Sequence, residues 1–248
     1  MRATRVYVEA ALTPGSIVEL PREAASHLSK VLRARRGDEL VLFNGDGREF
    51  AAAIESVRGP RVSASVGLGV PVDRESPYAV TLMQSVPRGD RMDFIVQKAT
   101  ELGVARIVPV LSRRSVVRLD STQTQSKAEH WRGVAVSACE QCGRNRLPII
   151  EAARPLQSYL GESAPELKLR LLFEPETGPP AQAPRFEPGA AAEIAIGPEG
   201  GFADDELEAF RLTGFFRISL GPRILRTETA AIAAVTWLQA RFGDMQAD

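Results

Sequence analysis

The sequence predicts an α/β protein in two parts: a small β-rich domain over residues 1–70 and a larger domain with a mostly parallel sheet over residues 78–248. Three observations predict it. Before residue 70, short strand-like runs are separated by tight-turn signals, with one helical pattern among them. After residue 78, apolar strand-like runs alternate with amphipathic helical stretches. Near the C-terminus, two strand–loop–helix units follow one another, each with glycine where its strand ends. In open α/β sheets, ligands bind at the carboxyl ends of strands, so this last pair is where function is expected.

In the small domain, Val6-Tyr7-Val8 and Ile17-Val18-Glu19-Leu20 read as short strands. Pro21 opens a helix on which Ala25, Leu28 and Leu32 share a face. Residues 40–43 form a strand, Asn44-Gly45-Asp46-Gly47 a hairpin turn, and residues 50–57 the return. After a second turn at Arg58-Gly59-Pro60, residues 62–66 alternate cleanly. Short strands, tight turns and one helix suit a small barrel. Residues 67–77, rich in glycine and proline, read as a linker. A basic cluster of Lys30, Arg33, Arg35 and Arg36 is either a solvated helix end, where cations suit the macrodipole, or a surface for phosphates.

In the large domain, residues 79–86 form a strand, and Asp90 begins a helix with Met92, Ile95, Ala99 and Leu102 on one face. Gly103 ends that helix in the left-handed conformation. A strand over 104–110 is followed by Arg113-Arg114, then a helix over 125–142. Ile149-Ile150, a helix near 156–160 and an apolar strand over 169–173, buried on both faces, come next. Residues 175–188 are proline-rich and read as a surface loop. Ile194-Ala195-Ile196 is a strand. The helix after it starts at Asp204 and Asp205, with Glu208 as capping-box partner. A strand over 216–220 leads to the last helix, with Ala231, Val235, Leu238 and Phe242 on one face, suited to a core or an interface.

Lys+Arg and Asp+Glu both number 31, so the net charge is zero, and any polyanionic partner would be held by local patches and not by a global field. Hydrophobic residues at 44% and charged residues at 25% are those of a soluble globular protein. No apolar run is long enough to span a bilayer, and the N-terminus has no signal-peptide core, so a cytoplasmic location is expected. Cys139 and Cys142 are spaced CxxC but lie late in a helical stretch, and the only histidines are the distant His27 and His130. They read as buried thiols, and no metal site is expected.

The first glycine loop, Gly197-Pro198-Glu199-Gly200-Gly201-Phe202, lacks the Lys-Ser/Thr of a P-loop, and Glu199 would repel a phosphate. A ligand with a cationic centre and an adenine read by backbone groups fits better, and S-adenosylmethionine has both. The second loop is Gly221-Pro222-Arg223-Ile224-Leu225-Arg226, with Thr227 and Glu228 opening the final helix.

These two blocks, Ile196 to Phe202 and Leu220 to Ala230, resemble the signature blocks of the RsmE family. The segments from Gln97 to Val104 and from Glu140 to Arg144 are similar to it as well. Members of that family are 16S rRNA uridine-N3 methyltransferases of the SPOUT, or trefoil-knot, class. The resemblance implies a knotted α/β C-terminal domain, a PUA-like or OB-like RNA-binding barrel at the N-terminus, S-adenosylmethionine as cofactor, the 30S subunit as partner and a homodimer. The cofactor pocket is then expected from Leu172 and Phe173, from Gly197, Glu199, Gly200 and Gly201, and from Leu220, Gly221, Ile224, Leu225, Arg226 and Thr229. Glu140 is the candidate base, and Arg144 and Arg226 are candidates for holding the developing uridine anion or a phosphate. A structural ion pair is the competing reading for these residues. Arg5, which matches a family arginine, Arg113 and the basic cluster are the candidate RNA contacts. Two rivals stay open: methylation of a ribose 2′-oxygen by the same fold, and a catalytically silent RNA-binding assembly factor.

Overall fold

The computed structural model describes residues 3–162, 169–175 and 191–245; the proline-rich stretch 176–188 lies outside them. The chain divides into two compact units: Met1–Glu75 with Val136–Leu147, and Ser76–Ala135 with Pro148–Asp248.

The first unit carries β1 (Thr4–Tyr7), β2 (Ile17–Glu19), α1 (Arg22–Ser26), β3 (Glu39–Phe43), β4 (Arg48–Arg58) and β5 (Arg61–Pro71). The five strands pair in the order β1-β3-β4-β5-β2, with β1 parallel to β3 and the other pairs antiparallel. Val6, Leu28, Leu42, Phe50, Ile54 and Val62 form part of its core. Gly67 to Pro71 are strand and not linker. The glycines there make room for neighbours: a Cβ on Gly67 would stand 2.6 Å from the Ala51 carbonyl oxygen, and one on Gly69 would stand 2.5 Å from the Phe50 ring. Glycine in a strand marks such a close approach, and the β4–β5 register shifts between Phe50 and Ala52.

Helix α1 passes into a π-helical turn, His27–Val31. The Ala34 N–H closes it on the Leu28 carbonyl at 2.9 Å, around Arg33 at φ 52°. That left-handed position usually belongs to glycine. The wider turn shifts the helical phase, so Ala25 and Leu28 are buried while Leu32 is exposed, against the expected shared face.

The second unit carries β6 (Val80–Ser85), α2 (Arg91–Glu101), β7 (Arg106–Leu111), the start of α3 (Ser121–Cys142), β8 (Ile149–Ile150), β9 (Arg154–Pro155), α4 (Leu156–Leu160), β10 (Leu169–Phe173), β11 (Ala192–Ile196), α5 (Asp204–Leu212), β12 (Phe216–Ile218) and α6 (Thr227–Phe242). Its sheet runs β12-β10-β11-β6-β7-β8, with β9 also on β7, and every described pair is parallel. Parallel strands are covered on both faces. One cluster holds Tyr78, Leu82, Ile107, Ile194, Val235 and Leu238. Another holds Met83, Val108, Leu172, Phe202 and Phe210. The apolar face of α6 (Ala231, Val235, Leu238) is thus spent on the chain's own core.

Gly103 ends α2 at φ 82° as expected. The cap of α5 differs from expectation. Glu206, not Glu208, reaches back to the Ala203 N–H at 2.8 Å, because the helix starts at Asp204 with Ala203 as N-cap. Alanine has no acceptor, so only the Glu206 half of a capping box exists. Glu208 instead pairs with Arg211 at 2.6 Å on the surface. Among the described residues no helix is long and apolar enough to cross a membrane, and no group of three or more His, Cys, Asp or Glu is placed to hold a metal.

Candidate active site

Strands β10 and β11 run parallel and in register, Phe173 beside Ile196, so they end at one edge of the sheet. A cavity of about 270 Å³ opens there, within the second unit. Phe173 and Ile196 supply its strand-end wall, Gly197 to Glu199 and Gly201 one loop, and Leu220 with Arg223 to Arg226 the other. Its volume is near the lower end of small-molecule sites, and such sites are mostly apolar with a few placed polar groups.

Each loop has a local reason for its shape. The Gly201 N–H bonds the Pro198 carbonyl at 2.9 Å, closing a turn with glycine in its last position. Gly201 has φ 66°, and a Cβ there would meet no atom within 4 Å, so the space beside it is open to a ligand. A hydroxyl joins the two loops: Thr227 Oγ1, at the first residue of α6, donates to the Gly197 carbonyl at 2.7 Å. The same hydroxyl accepts from Gln84 Nε2 at 3.0 Å. Gln84 is fully buried at the carboxyl end of β6, and its Oε1 has no hydrogen-bond partner.

Four charged side chains line the cavity. Glu199 is ion-paired with Arg91, which also lies 3.9 Å from Glu228. Glu174 pairs with Arg217 at 2.6 Å. Arg223 and Arg226 are exposed, and no hydrogen bond or ion pair of their side chains occurs among the described residues.

Of the residues expected at the pocket, the structure brings together Phe173, Gly197, Glu199, Gly201, Leu220, Ile224, Leu225 and Arg226. It leaves Leu172, Gly200, Gly221 and Thr229 off the wall. Side chains alternate along a strand, so Leu172 enters the cluster of Met83 and Phe210 while Phe173 faces the other way. A Cβ on Gly200 would touch Arg114, not the cavity. Thr227 lies within the expected second block, whereas Gln84 carried no signal in the sequence, although it sits at a strand end on the expected edge. Arg113 is held by α5: its N–H donates to Glu206 at 2.7 Å and its guanidinium pairs with Asp205 at 2.8 Å.

Glu140 and Arg144 belong to the first unit and are not among the cavity's lining residues. Glu140 accepts the Tyr7 N–H at 3.0 Å. Burial raises its carboxyl above the ordinary range, against the Tyr7 bond that favours the ionised form. Arg144 is buried and ion-paired with Glu75 through Nη2 at a side-chain exposure of 5%. Arg5 is no surface contact: it pairs with Glu49, donates to Asn145 Oδ1 at 2.6 Å and to the Arg144 carbonyl at 3.1 Å, and lies over the Phe43 ring. Burial pushes Glu49 up, but the guanidiniums of Arg74 and Arg5 outweigh it and hold the carboxyl below its ordinary value. Lys30, Arg33, Arg35 and Arg36 are exposed, with Arg36 2.6 Å from Glu55. Cys139 is buried, and its hydrogen bond with Cys142 together with burial pushes its thiol pKa up.

Residues 74–239 match the family model of an RNA methyltransferase domain, and residues 20–66 that of an RNA methyltransferase PUA domain. A Legionella pneumophila methyltransferase solved with the bound cofactor SAM is 40% identical, superposes with a TM-score of 0.88, and the match covers 98% of this chain and 100% of that one. The ribosomal RNA small subunit methyltransferase E of Neisseria gonorrhoeae, bound to S-adenosyl methionine, is 35% identical at a TM-score of 0.88, over 99% of this chain and 100% of that one. Proteins named ribosomal RNA small subunit methyltransferase E from Buchnera aphidicola (33% identical, 98% of each chain) and Bacillus subtilis (32%, 94% of each) match as fully. With the domain model spanning most of the chain and relatives this similar from end to end, the chain belongs to the family of RNA methyltransferases that bear the name ribosomal RNA small subunit methyltransferase E.

Proposed function

We propose that this chain transfers a methyl group from S-adenosylmethionine to N3 of a uridine in 16S rRNA of the small ribosomal subunit. One observation carries the reading: two glycine loops enclose a cavity at the carboxyl ends of β10 and β11, in a chain that aligns end to end with a relative solved with SAM. The residues fit that cofactor. Phe173, Ile196 and Leu225 offer an apolar wall to an adenosine, Gly201 leaves room for close approach, and Glu199, although ion-paired with Arg91, adds a carboxylate to the lining for a cationic centre. Bound there, S-adenosylmethionine supplies an activated methyl group.

The chain's own work is positioning and control of the uridine proton. N3 lies on the Watson–Crick edge, so the base has to leave its stack to be reached. Arg226, on the cavity wall, is proposed to stabilise the uridine anion. Glu140 as proton acceptor and Arg144 as anion holder remain part of the proposal. Their bonds to Tyr7 and Glu75 favour a second, structural role. Single-turnover rates separate the two: a Glu140→Gln enzyme that keeps its rate but changes in thermal stability has lost only a structural group. The exposed Lys30, Arg33, Arg35 and Arg36 are proposed to neutralise RNA phosphates. A homodimer acting in the cytoplasm completes the reading, and sedimentation at micromolar concentration tests the dimer.

The deciding experiment incubates the protein with labelled S-adenosylmethionine and 30S subunits lacking the modification, then identifies the methylated nucleoside. N3-methyluridine is the expected product. A 2′-O-methyl nucleoside makes the chain a ribose methyltransferase, and absence of any cofactor binding makes it an RNA-binding assembly factor.

A further inference from the structure

Ile224 is 80% exposed, the most exposed large apolar side chain among the described residues, yet it stands on the wall of the cavity. Its neighbours in the loop are Arg223 and Arg226, both exposed and neither with a side-chain hydrogen bond or ion pair among the described residues. The loop is anchored at both ends. Ser219 Oγ donates to the Gly221 carbonyl at 3.0 Å, Gly221 takes φ 88°, and Thr227 Oγ1 ties the other end to Gly197 at 2.7 Å. The Arg226 carbonyl already accepts the Ala230 N–H of the first turn of α6 at 2.8 Å. An anchored tip therefore presents one aliphatic group to solvent between two uncommitted cations. The two carboxylates of the cavity wall are each matched by an arginine, so they do not cancel those cations.

That combination has a use in the reaction proposed above, on which this inference rests. A uridine whose N3 is to be methylated has to be extruded, and extrusion leaves a gap in the stack of bases. Proteins that deform nucleic acids fill such gaps with aliphatic or aromatic wedges and hold the flanking phosphates with arginines. We propose that Ile224 is a positioning residue that enters the RNA stack beside the extruded uridine, while Arg223 engages a phosphate of the same strand.

The test uses the full chain, S-adenosylmethionine and unmodified 30S subunits. Cofactor affinity is measured by calorimetry, 30S affinity by filter binding, and the single-turnover rate with both substrates saturating. Unstacking a base costs a few kcal/mol, so Ile224→Ser is expected to slow the saturated step by about tenfold or more. Ile224→Leu, which keeps the aliphatic bulk, restores most of the rate. Arg223→Ala weakens 30S binding and reduces its salt slope by about one. Several outcomes overturn the wedge: a wild-type rate in Ile224→Ser, a Leu variant as slow as the Ser variant, a defect that disappears once cofactor is saturating, or a defect that follows dissociation of a dimer. If the wild-type protein itself methylates no RNA, the functional reading fails and the wedge with it; an active wild type with an unaffected Ser variant removes the wedge alone.

Discussion

At the residue scale, single positions decide whether the cavity can admit a ligand. Gly201 combines φ 66° with open space where a Cβ would project. A β-branched side chain is strained in that conformation and projects from a residue of the cavity wall into open space. Gly201→Val is expected to abolish measurable cofactor binding by calorimetry while the chain stays folded; an unchanged affinity removes this wall from the site. Arg5 shows the opposite case, a residue of the interior. Removing it leaves the largely buried Glu49 with Arg74 as its one cation and a long hydrogen bond from Asn145. Breaking a buried pair is costly, so Arg5→Ala is expected to lose about 3 kcal/mol in denaturant unfolding. A near-neutral result would mean that Arg74 suffices. For Glu140 the sign follows from its raised carboxyl. A carboxyl whose folded pKa exceeds its unfolded one costs nothing below both and costs increasingly as pH rises through them. The wild type is therefore expected to lose stability relative to Glu140→Gln as pH rises through the ordinary carboxylate range and beyond. Unfolding midpoints that diverge in the other direction contradict the burial argument.

At the element scale, one cap and one strand carry the local logic. Glu206 is buried and accepts both the Ala203 and the Arg113 N–H, at 2.8 and 2.7 Å, so it starts α5 and holds the segment after β7 at once. Glu206→Ala orphans two donors, and a loss of about 2 kcal/mol is expected in thermal or urea unfolding. A cost of a few tenths would show that water replaces the carboxylate. In β5, a side chain at position 69 would collide with the Phe50 ring, which is itself fully buried. The strand tolerates glycine there because the ring fills the missing volume, which is the same device that lets edge glycines be covered by aromatics.

At the scale of the whole molecule, the two units carry different chemistry. The second holds the cavity, and the first holds the exposed basic cluster around the π-helical turn. Replacing Arg33, Arg35 and Arg36 together is expected to weaken RNA binding and flatten its dependence on salt, since each phosphate contact contributes roughly one counterion to the slope. A filter-binding series across salt concentrations checks this, and an unchanged slope returns the arginines to a solvated helix end. The apolar face of α6, which suits an interface as well as a core on its pattern alone, is used by the core. A second copy of the chain would have to be met by another surface.

By itself the sequence determined the alternation of strands and helices, the parallel sheet, and the two glycine loops that frame the cavity. These are local properties: period, turn chemistry and the place where a strand must end. It also placed most of the cavity's wall, from Phe173 to Arg226, because strand ends and the loops after them share one edge. Tertiary structure decided the rest. Whether Leu172 or Phe173 faced the cavity depended on a one-residue phase that no pattern reports for a strand buried on both faces. The strand character of 67–71 depended on pairing with β4, whose Phe50 ring lies where a side chain at 69 would project. The grouping of 136–147 with the first unit, and with it the setting of Glu140 and Arg144, depended on long-range pairs with Tyr7 and Glu75. Residues far apart in sequence supply those partners, so a carboxylate and an arginine that read as chemistry in one dimension are, in three, also the bonds that hold a unit together.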